Sequence, residues 1–262
     1  MLSLKYKKLC EFIKSKKKVL IAFSGGVDSS LLAAVAYRIL GKNAIAVTID
    51  SPVFPRSELE DAKKIARGIG ILHIIVKHNE LKNKKFVKNP RDRCYFCKKE
   101  EVEILKKIAK KRGIKHILFG TNVDDLKDYR PGIKALREEN VLSPLADLNI
   151  KKSEVRKLAK KLKLSNSEKP AMACLSSRIP YGETITDKKL KIIENAENFI
   201  RNLGIDQVRV RCHRDIARIE VPKKDFKKIL NNEGKITKKF LELGFKYITL
   251  DLLGYRWGSM NK

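Results

Sequence analysis

Long apolar runs are missing from this chain. None approaches the ~18–20 residues of a membrane-spanning helix, which excludes a helical membrane protein. The opening stretch, MLSLKYKKLCEFIKSKKK, is too heavily charged to hold a signal peptide's apolar segment. A cytoplasmic protein is therefore expected. Acidic residues are also in deficit, 30 against 59 Lys and Arg, for a formal charge of +29. Disorder is nevertheless excluded, because 43% of the 262 residues are hydrophobic and a chain this long buries roughly three quarters of its unfolded surface. Glutamine is nearly absent, Gln207 being the only one. A Lys-rich, Gln-poor chain is a thermophile signature as much as a nucleic-acid footprint. Its basic residues run from end to end, which favours acidic small substrates over a grip on RNA.

Internal repeats and low-complexity linkers are lacking too. Strands expected at Lys18–Phe23, Ala44–Asp50, Ile71–Val76 and His116–Gly120 alternate with helices at 4–16, Ser29–Leu40, Arg56–Ile69, Lys98–Arg112 and Lys152–Lys161, and a short apolar run lies at Val141–Leu142. Each strand is continuously apolar rather than alternating, the pattern of a parallel sheet covered on both faces. The second part reads as helix Asp187–Leu203, strands Gln207–His213 and Ala217–Pro222, a helical stretch Lys223–Leu243 and strand Tyr247–Leu253. That order suggests a smaller α+β domain with a mixed or antiparallel sheet. SNSEKP at Ser165–Pro170 is the best boundary, giving domains 1–168 and 169–262. Residues 87–97 and 121–138 fit neither periodicity and read as long functional loops.

Between the first strand and its helix lies Ser24-Gly25-Gly26-Val27-Asp28-Ser29-Ser30. Backbone amides of such a loop and of the helix start form a phosphate cradle, close approach being allowed by the glycines and hydroxyls adding donors. It lacks the GK[ST] of a Walker loop. The motif resembles the PP-loop of ATP pyrophosphatases, which adenylate an oxygen and release pyrophosphate. That resemblance implies ATP and Mg²⁺, with contacts from Ala22, Ser24, Gly25, Gly26, Asp28, Ser29 and Ser30. It also implies adenine contacts from Val47, Thr48 and Ile49, and a segment closing over the nucleotide at Gly120, Thr121, Asn122, Asp124 and Asp125.

Five cysteines in an intracellular chain point away from disulfides. Cys94 and Cys97 form a CxxC, and Cys174 lies far downstream near the boundary. Two thiolates three apart and one distant thiolate can ligate a metal or cluster, leaving one iron of a 4Fe-4S cube open. Free cysteines and a thiol–disulfide pair are the alternatives. A zinc site would want a fourth ligand, and neither segment contains histidine. Cys10 and Cys212 read as packing residues. After Cys174 come Ser176, Ser177 and Arg178. Arg209 and Arg211 alternate on one strand face, with Glu220 on the next strand and Glu197 on the preceding helix. An arginine pair of this kind suits a phosphate, although a solvated charged face would look the same.

Taken together, SGGVDSS, RCYFCKKE, DDLKDYRPG, SPLADLNIKKSEVR and ACLSSRIPYG resemble the LarE family, PP-loop sulfur transferases of nickel-pincer nucleotide synthesis. The resemblance spans nearly the whole chain. It implies an adenine nucleotide alpha hydrolase-like, doubly wound parallel sheet, and adenylation of the carboxylates of pyridinium-3,5-biscarboxylic acid mononucleotide followed by sulfur insertion. Some members sacrifice a cysteine, whereas others carry three cysteines and a 4Fe-4S cluster. Cys94, Cys97 and Cys174 place this chain in the second group, with Cys174 and Asp28 as catalytic residues. Ser177, Arg178, Arg209 and Arg211 would then hold the substrate phosphate, Glu197 and Glu220 would lie near a divalent cation, and the expected partners are a sulfide donor and further copies in a trimer or hexamer. A tRNA thiolation enzyme, a PP-loop amidotransferase-type ligase and a non-enzymatic nucleotide- or RNA-binding module remain rival readings. The last predicts no pyrophosphate release.

Overall fold

The computed structural model describes residues 2–127, 131–170, 172–256 and 258–259. In chain order its elements are α1 (Leu2–Ser15), β1 (Val19–Ala22), α2 (Val27–Leu40), β2 (Ala44–Asp50), α3 (Arg56–Ile69), β3 (Leu72–Lys77), α4 (Lys84–Val87), α5 (Arg93–Lys111) and β4 (His116–Leu118), followed by α6 (Pro131–Glu138), α7 (Pro144–Asp147), α8 (Lys152–Lys161), α9 (Asp187–Asn202), β5 (Arg209–His213), β6 (Ile216–Glu220), α10 (Phe226–Leu230), α11 (Glu233–Glu242) and β7 (Tyr247–Leu250). They fall into two compact units, Met1–Glu80 with Asp92–Met172 and Leu81–Arg91 with Ala173–Lys262. Among the described residues no helix is long and apolar enough to cross a membrane.

The first unit is built on a parallel sheet of order β3-β2-β1-β4. Successive residues of β1 enter opposite cores, which is why the strand is apolar throughout. Val19 and Ile21 pack with Leu9 and Ile13 of α1, Leu31 and Val35 of α2, Ala62 of α3 and Leu158 of α8. Leu20 and Ala22 pack with Val102 and Leu105 of α5 and Leu136 of α6. The apolar run at 141–142 lies beside β4, where Phe119 N–H donates to the Leu142 carbonyl at 2.8 Å. Strands β2 and β3 lie to one side of β1 and β4 to the other. The switch in direction therefore falls between β1 and β4, whose carboxyl ends are where open α/β sheets bind ligands.

The second unit has a three-stranded sheet of order β5-β6-β7, antiparallel then parallel, matching the mixed expectation. Residues 81–91 also belong to it. Asn83 caps α4 by accepting from the Lys85 and Phe86 amides, and buried Asn89 donates its side-chain amide to the Pro180 carbonyl at 2.7 Å. The division after Met172 falls close to SNSEKP but adds this earlier excursion.

Three local expectations are corrected. The CxxC lies not in a loop but in the first turns of α5, which begins at Arg93. The irregular stretch 121–138 ends in a helix, α6, with Pro131 at its start, where a missing N–H costs no hydrogen bond. The helical stretch from Lys223 is broken at Asn231-Asn232 into α10 and α11.

Candidate functional site

At the switch point, β1 leaves the sheet at Phe23, whose amide still donates to the Val47 carbonyl at 2.8 Å. The loop is then folded on its own hydroxyls. Ser29 Oγ accepts from the Ser24 amide at 3.2 Å and donates to the Gly26 carbonyl at 3.1 Å, and Ser24 Oγ accepts from the Gly26 amide. Gly25 has φ +71°, and a Cβ there would stand 2.9 Å from the Ala62 Cα of α3. Only glycine fits both conditions. A Cβ on Gly120 would lie 2.8 Å from the Ser29 amide nitrogen, so the loop after β4 closes directly on the start of α2. The geometry thus unites SGGVDSS with Gly120. It presents the unpaired amides of a 14-residue helix at the mouth of the sheet.

Exposure separates the predicted nucleotide residues. Ser24 is exposed, Gly26, Asp28 and Thr121 are half-buried, and Ser29 and Ser30 lie beneath the loop. Ala22, Val47 and Thr48 are core residues, which leaves Ile49 as the half-exposed side chain of that group. Thr48 donates its hydroxyl to the Phe23 carbonyl at 2.6 Å. It therefore accepts from His73 Nε2 at 2.7 Å, which fixes that tautomer. Burial, aided by Lys63, pulls His73 below the ordinary histidine range.

Asp28 is the hub of a polar ring that sequence reasoning found only in part. Its Oδ1 accepts from Asn122 Nδ2 at 3.1 Å, and its Oδ2 pairs with the ammonium of Lys152. The Lys152 amide donates to Asp124 at 2.7 Å, and Asn122 caps the turn through the Asp124 amide at 2.9 Å. Asp124 therefore orients α8, and Asp125 closes the turn on the Asn122 amide. Lys152 was missed as a site residue although it stands inside SPLADLNIKKSEVR. The centre of DDLKDYRPG, Asp128 to Arg130, lies outside the described residues.

Cys94 and Cys97 share one face of α5, the first exposed and the second half-buried. Burial would lower the Lys98 ammonium, but Glu101, Cys97 and Cys94 outweigh it and raise its pKa. In the second unit, half-buried Cys174 opens a single 3-10 turn, Leu175–Arg178, with its sulfur 3.0 Å from Ser176 Oγ. Cys10 is half-buried on α1, and Cys212 is buried on β5 with its thiol pushed up by burial. Among the described residues no group of three His, Cys, Asp or Glu is brought together to hold a metal ion. In donor chemistry Cys94 and Cys97 suit two ligands of a cluster and Cys174 a third.

Arg178, Arg209, Arg211, Glu197 and Glu220 of the second unit form a buried network, not a solvated face. Arg178, fully buried, makes a fork on Glu197 at 2.8 and 3.1 Å, while its third nitrogen donates to the Ala173 and Cys174 carbonyls at 2.6 and 2.9 Å. Glu197 also takes Arg201 at 2.7 Å and the Val210 amide at 3.1 Å. Burial pushes Glu197 upward, but Arg178, Arg209 and Arg201 hold it down to about 2. Arg211 pairs with Glu220 at 2.7 Å and donates to the Ser177 carbonyl at 3.0 Å, and Arg218 takes the other Glu220 oxygen at 3.1 Å. Buried Arg209 lies over the Tyr255 ring at 5.4 Å, its guanidinium pushed down to about 10 by burial and then by Arg178. Arg211 Nε is buried without a hydrogen-bond partner among the described residues. Cationic charge is thus in excess around Arg209 and Arg211, as an anion site needs. Arg178 instead fixes the turn that carries Cys174. Glu197 and Glu220 have their oxygens committed to guanidinium groups, so this donor set does not fit the expected divalent cation.

Relatives of this chain align along both units. The family model described as NAD synthase matches residues 5–120. The chain is 46% identical to an uncharacterized protein of Synechocystis over all of this chain and 98% of that one. It is 38% identical to the pyridinium-3,5-bisthiocarboxylic acid mononucleotide synthase of Lactiplantibacillus plantarum, covering 95% of this chain and 91% of the relative. An uncharacterized protein of Methanocaldococcus jannaschii is 36% identical over 92% of this chain and 91% of that one.

Proposed function

Since the chain belongs to the LarE family, that of the pyridinium-3,5-bisthiocarboxylic acid mononucleotide synthase, and is an ATP-using enzyme, we propose that it converts the biscarboxylic acid mononucleotide to its bisthiocarboxylic counterpart. One observation carries this reading: the turn bearing Cys174 is tied by Arg178 and Arg211 to the cluster where cationic charge is in excess. A sulfur-bearing turn is thereby fixed to a site that attracts a phosphate.

A carboxylate is a poor electrophile. Attack of its oxygen on the α-phosphorus of ATP forms an acyl-adenylate and expels pyrophosphate, and sulfide attack on the carbonyl then expels AMP. The amides of Gly25, Val27, Asp28 and Ser29 take the phosphate oxygens, with Ser24 at the exposed lip and Asp28 and Lys152 beside them. Mg²⁺ would be held with the phosphates by Asp28 and would neutralise charge on the departing pyrophosphate. Arg209 and Arg211, with Ser177 beside them, take the substrate phosphate. A 4Fe-4S cluster would be held by Cys94, Cys97 and Cys174 and would supply the sulfide. Residues 169–262 act as the substrate and assembly domain. The exposed apolar side chains Tyr247, Leu252 and Leu253 there support assembly into a trimer or hexamer.

Intact-mass measurement before and after anaerobic turnover with ATP, sulfide and the biscarboxylic mononucleotide tests the sulfur route. An unchanged mass over many turnovers is expected. A loss of about 34 Da at Cys174 in step with product, the H₂S lost when cysteine becomes dehydroalanine, would show a sacrificial cysteine instead.

A further inference from the structure

The stretch Ser165–Pro170, which reads as a domain boundary, is built into the floor of the phosphate loop. Asn166 is only 4% exposed. Its Nδ2 donates to the Gly25 carbonyl at 2.8 Å and to Ser30 Oγ at 2.9 Å. A carbonyl can only accept, so these bonds fix which way the amide points. Its Oδ1 is consequently buried without a partner among the described residues. Folds tolerate an orphan acceptor mainly where function requires the geometry that creates it. The stretch is clamped on both sides. Arg156 of α8 donates to the Ser167 and Lys169 carbonyls at 2.6 and 2.9 Å, and the Lys169 ammonium reaches Glu58 and Asp61 of α3 at 2.9 and 2.6 Å.

We propose that Asn166 is a positioning residue for ATP, acting through Gly25 and Ser30; this rests on the reading of the loop as the ATP site. Gly25 in its left-handed conformation could turn its carbonyl toward phosphate oxygens, which would repel them. Tying that carbonyl to a buried amide prevents this. The same amide makes Ser30 Oγ an acceptor, so the hydroxyl proton remains available to be donated within the loop. Asn166 needs no contact with the nucleotide for either effect.

The test measures calorimetric ATP binding, ATP KM and kcat, and nucleotide-free thermal midpoint in the full-length protein, for Asn166→Ala, Asn166→Asp, Ser30→Ala and the double variant Asn166→Ala/Ser30→Ala. Asn166→Ala is expected to weaken ATP roughly tenfold, about one decade of affinity, with kcat at saturating ATP within about threefold. Asn166→Asp keeps the shape but removes the donor and places a carboxylate under the anion site, so it should weaken ATP further. Pure packing predicts the reverse order, with Asn166→Asp the milder. The two single changes should be non-additive, since Asn166 acts partly through Ser30. Should Asn166→Asp fail to fold, Asn166→Ala and the cycle with Ser30→Ala still decide. Unchanged ATP affinity in Asn166→Ala, the reversed order, or strict additivity would overturn the proposal. Release of ADP and phosphate by the unaltered protein would instead overturn the reading of the loop itself.

Discussion

Lys152 places its ammonium on the carboxylate of Asp28, joining the start of α8 to the first turn of α2. Both groups flank the phosphate loop and both are partly accessible, so a phosphate chain can take the lysine while a cation takes the aspartate. Asp28→Ala and Ser24→Ala should each abolish conversion of ATP to AMP while the circular dichroism spectrum stays native. Lys152→Ala should lower kcat by about 10²-fold, the scale of one lost charge-stabilising group. Pyrophosphate release is the measurement, and full activity in Asp28→Ala would count against the site.

The cysteines make a second test. Protein prepared without oxygen should be brown and hold about four irons per chain. Cys94→Ala, Cys97→Ala and Cys174→Ala should each bleach it, whereas Cys10→Ala and Cys212→Ala should not. Zinc alone in the preparation, or full iron in Cys174→Ala, would exclude the three-cysteine cluster.

For the arginines, removal of either Arg209 or Arg211 should weaken the substrate mononucleotide by ~1.5–3 kcal/mol, the size of a hydrogen bond to a charged group. ATP binding should barely change. Stoichiometric tRNA binding at physiological salt, lost in the same variants, would favour the RNA-thiolating reading instead.

Acid stability follows from Glu197. Its folded pKa of about 2 lies below the ordinary 4.5, so its contribution is fully present above pH 4.5 and is lost as pH falls toward 2. Glu197→Gln should therefore destabilise the protein at pH 7 and flatten the decline of stability between pH 4.5 and 2. Denaturant midpoints measured across that range decide it. Equal slopes in both proteins would mean that Glu197 is not held down in the folded protein relative to the unfolded chain.

What could be read from sequence was what local chemistry announces. The apolar run KVLIAF marked β1 because both of its faces are covered, whereas β3, equally apolar, is left partly exposed, and SGGVDSS marked its own turn. Residues whose meaning depends on distant partners were less legible. Asn166 sits in a polar hexapeptide with nothing local to show that Gly25, far away in sequence, accepts its amide. The start of α5 was hidden because RDRCYFC follows a proline and places its apolar residues without helical spacing. Arg209 and Arg211 looked equally suited to solvent, because burial is set by α9 and by the turn after Cys174.

The excursion of residues 81–91 into the second unit has a practical consequence. The backbone passes from one unit to the other at 80/81, 91/92 and 172/173, so no single cut separates them. A fragment ending at Met172 keeps Phe86 and Asn89 but loses Ile179, Pro180 and Ile185, to which that stretch is hydrogen-bonded. A sticky, protease-sensitive flap is the expected product. Expression of the nucleotide half alone calls for excising 81–91 and bridging the ends with a short designed turn, and a random domain swap with a relative must exchange both stretches together.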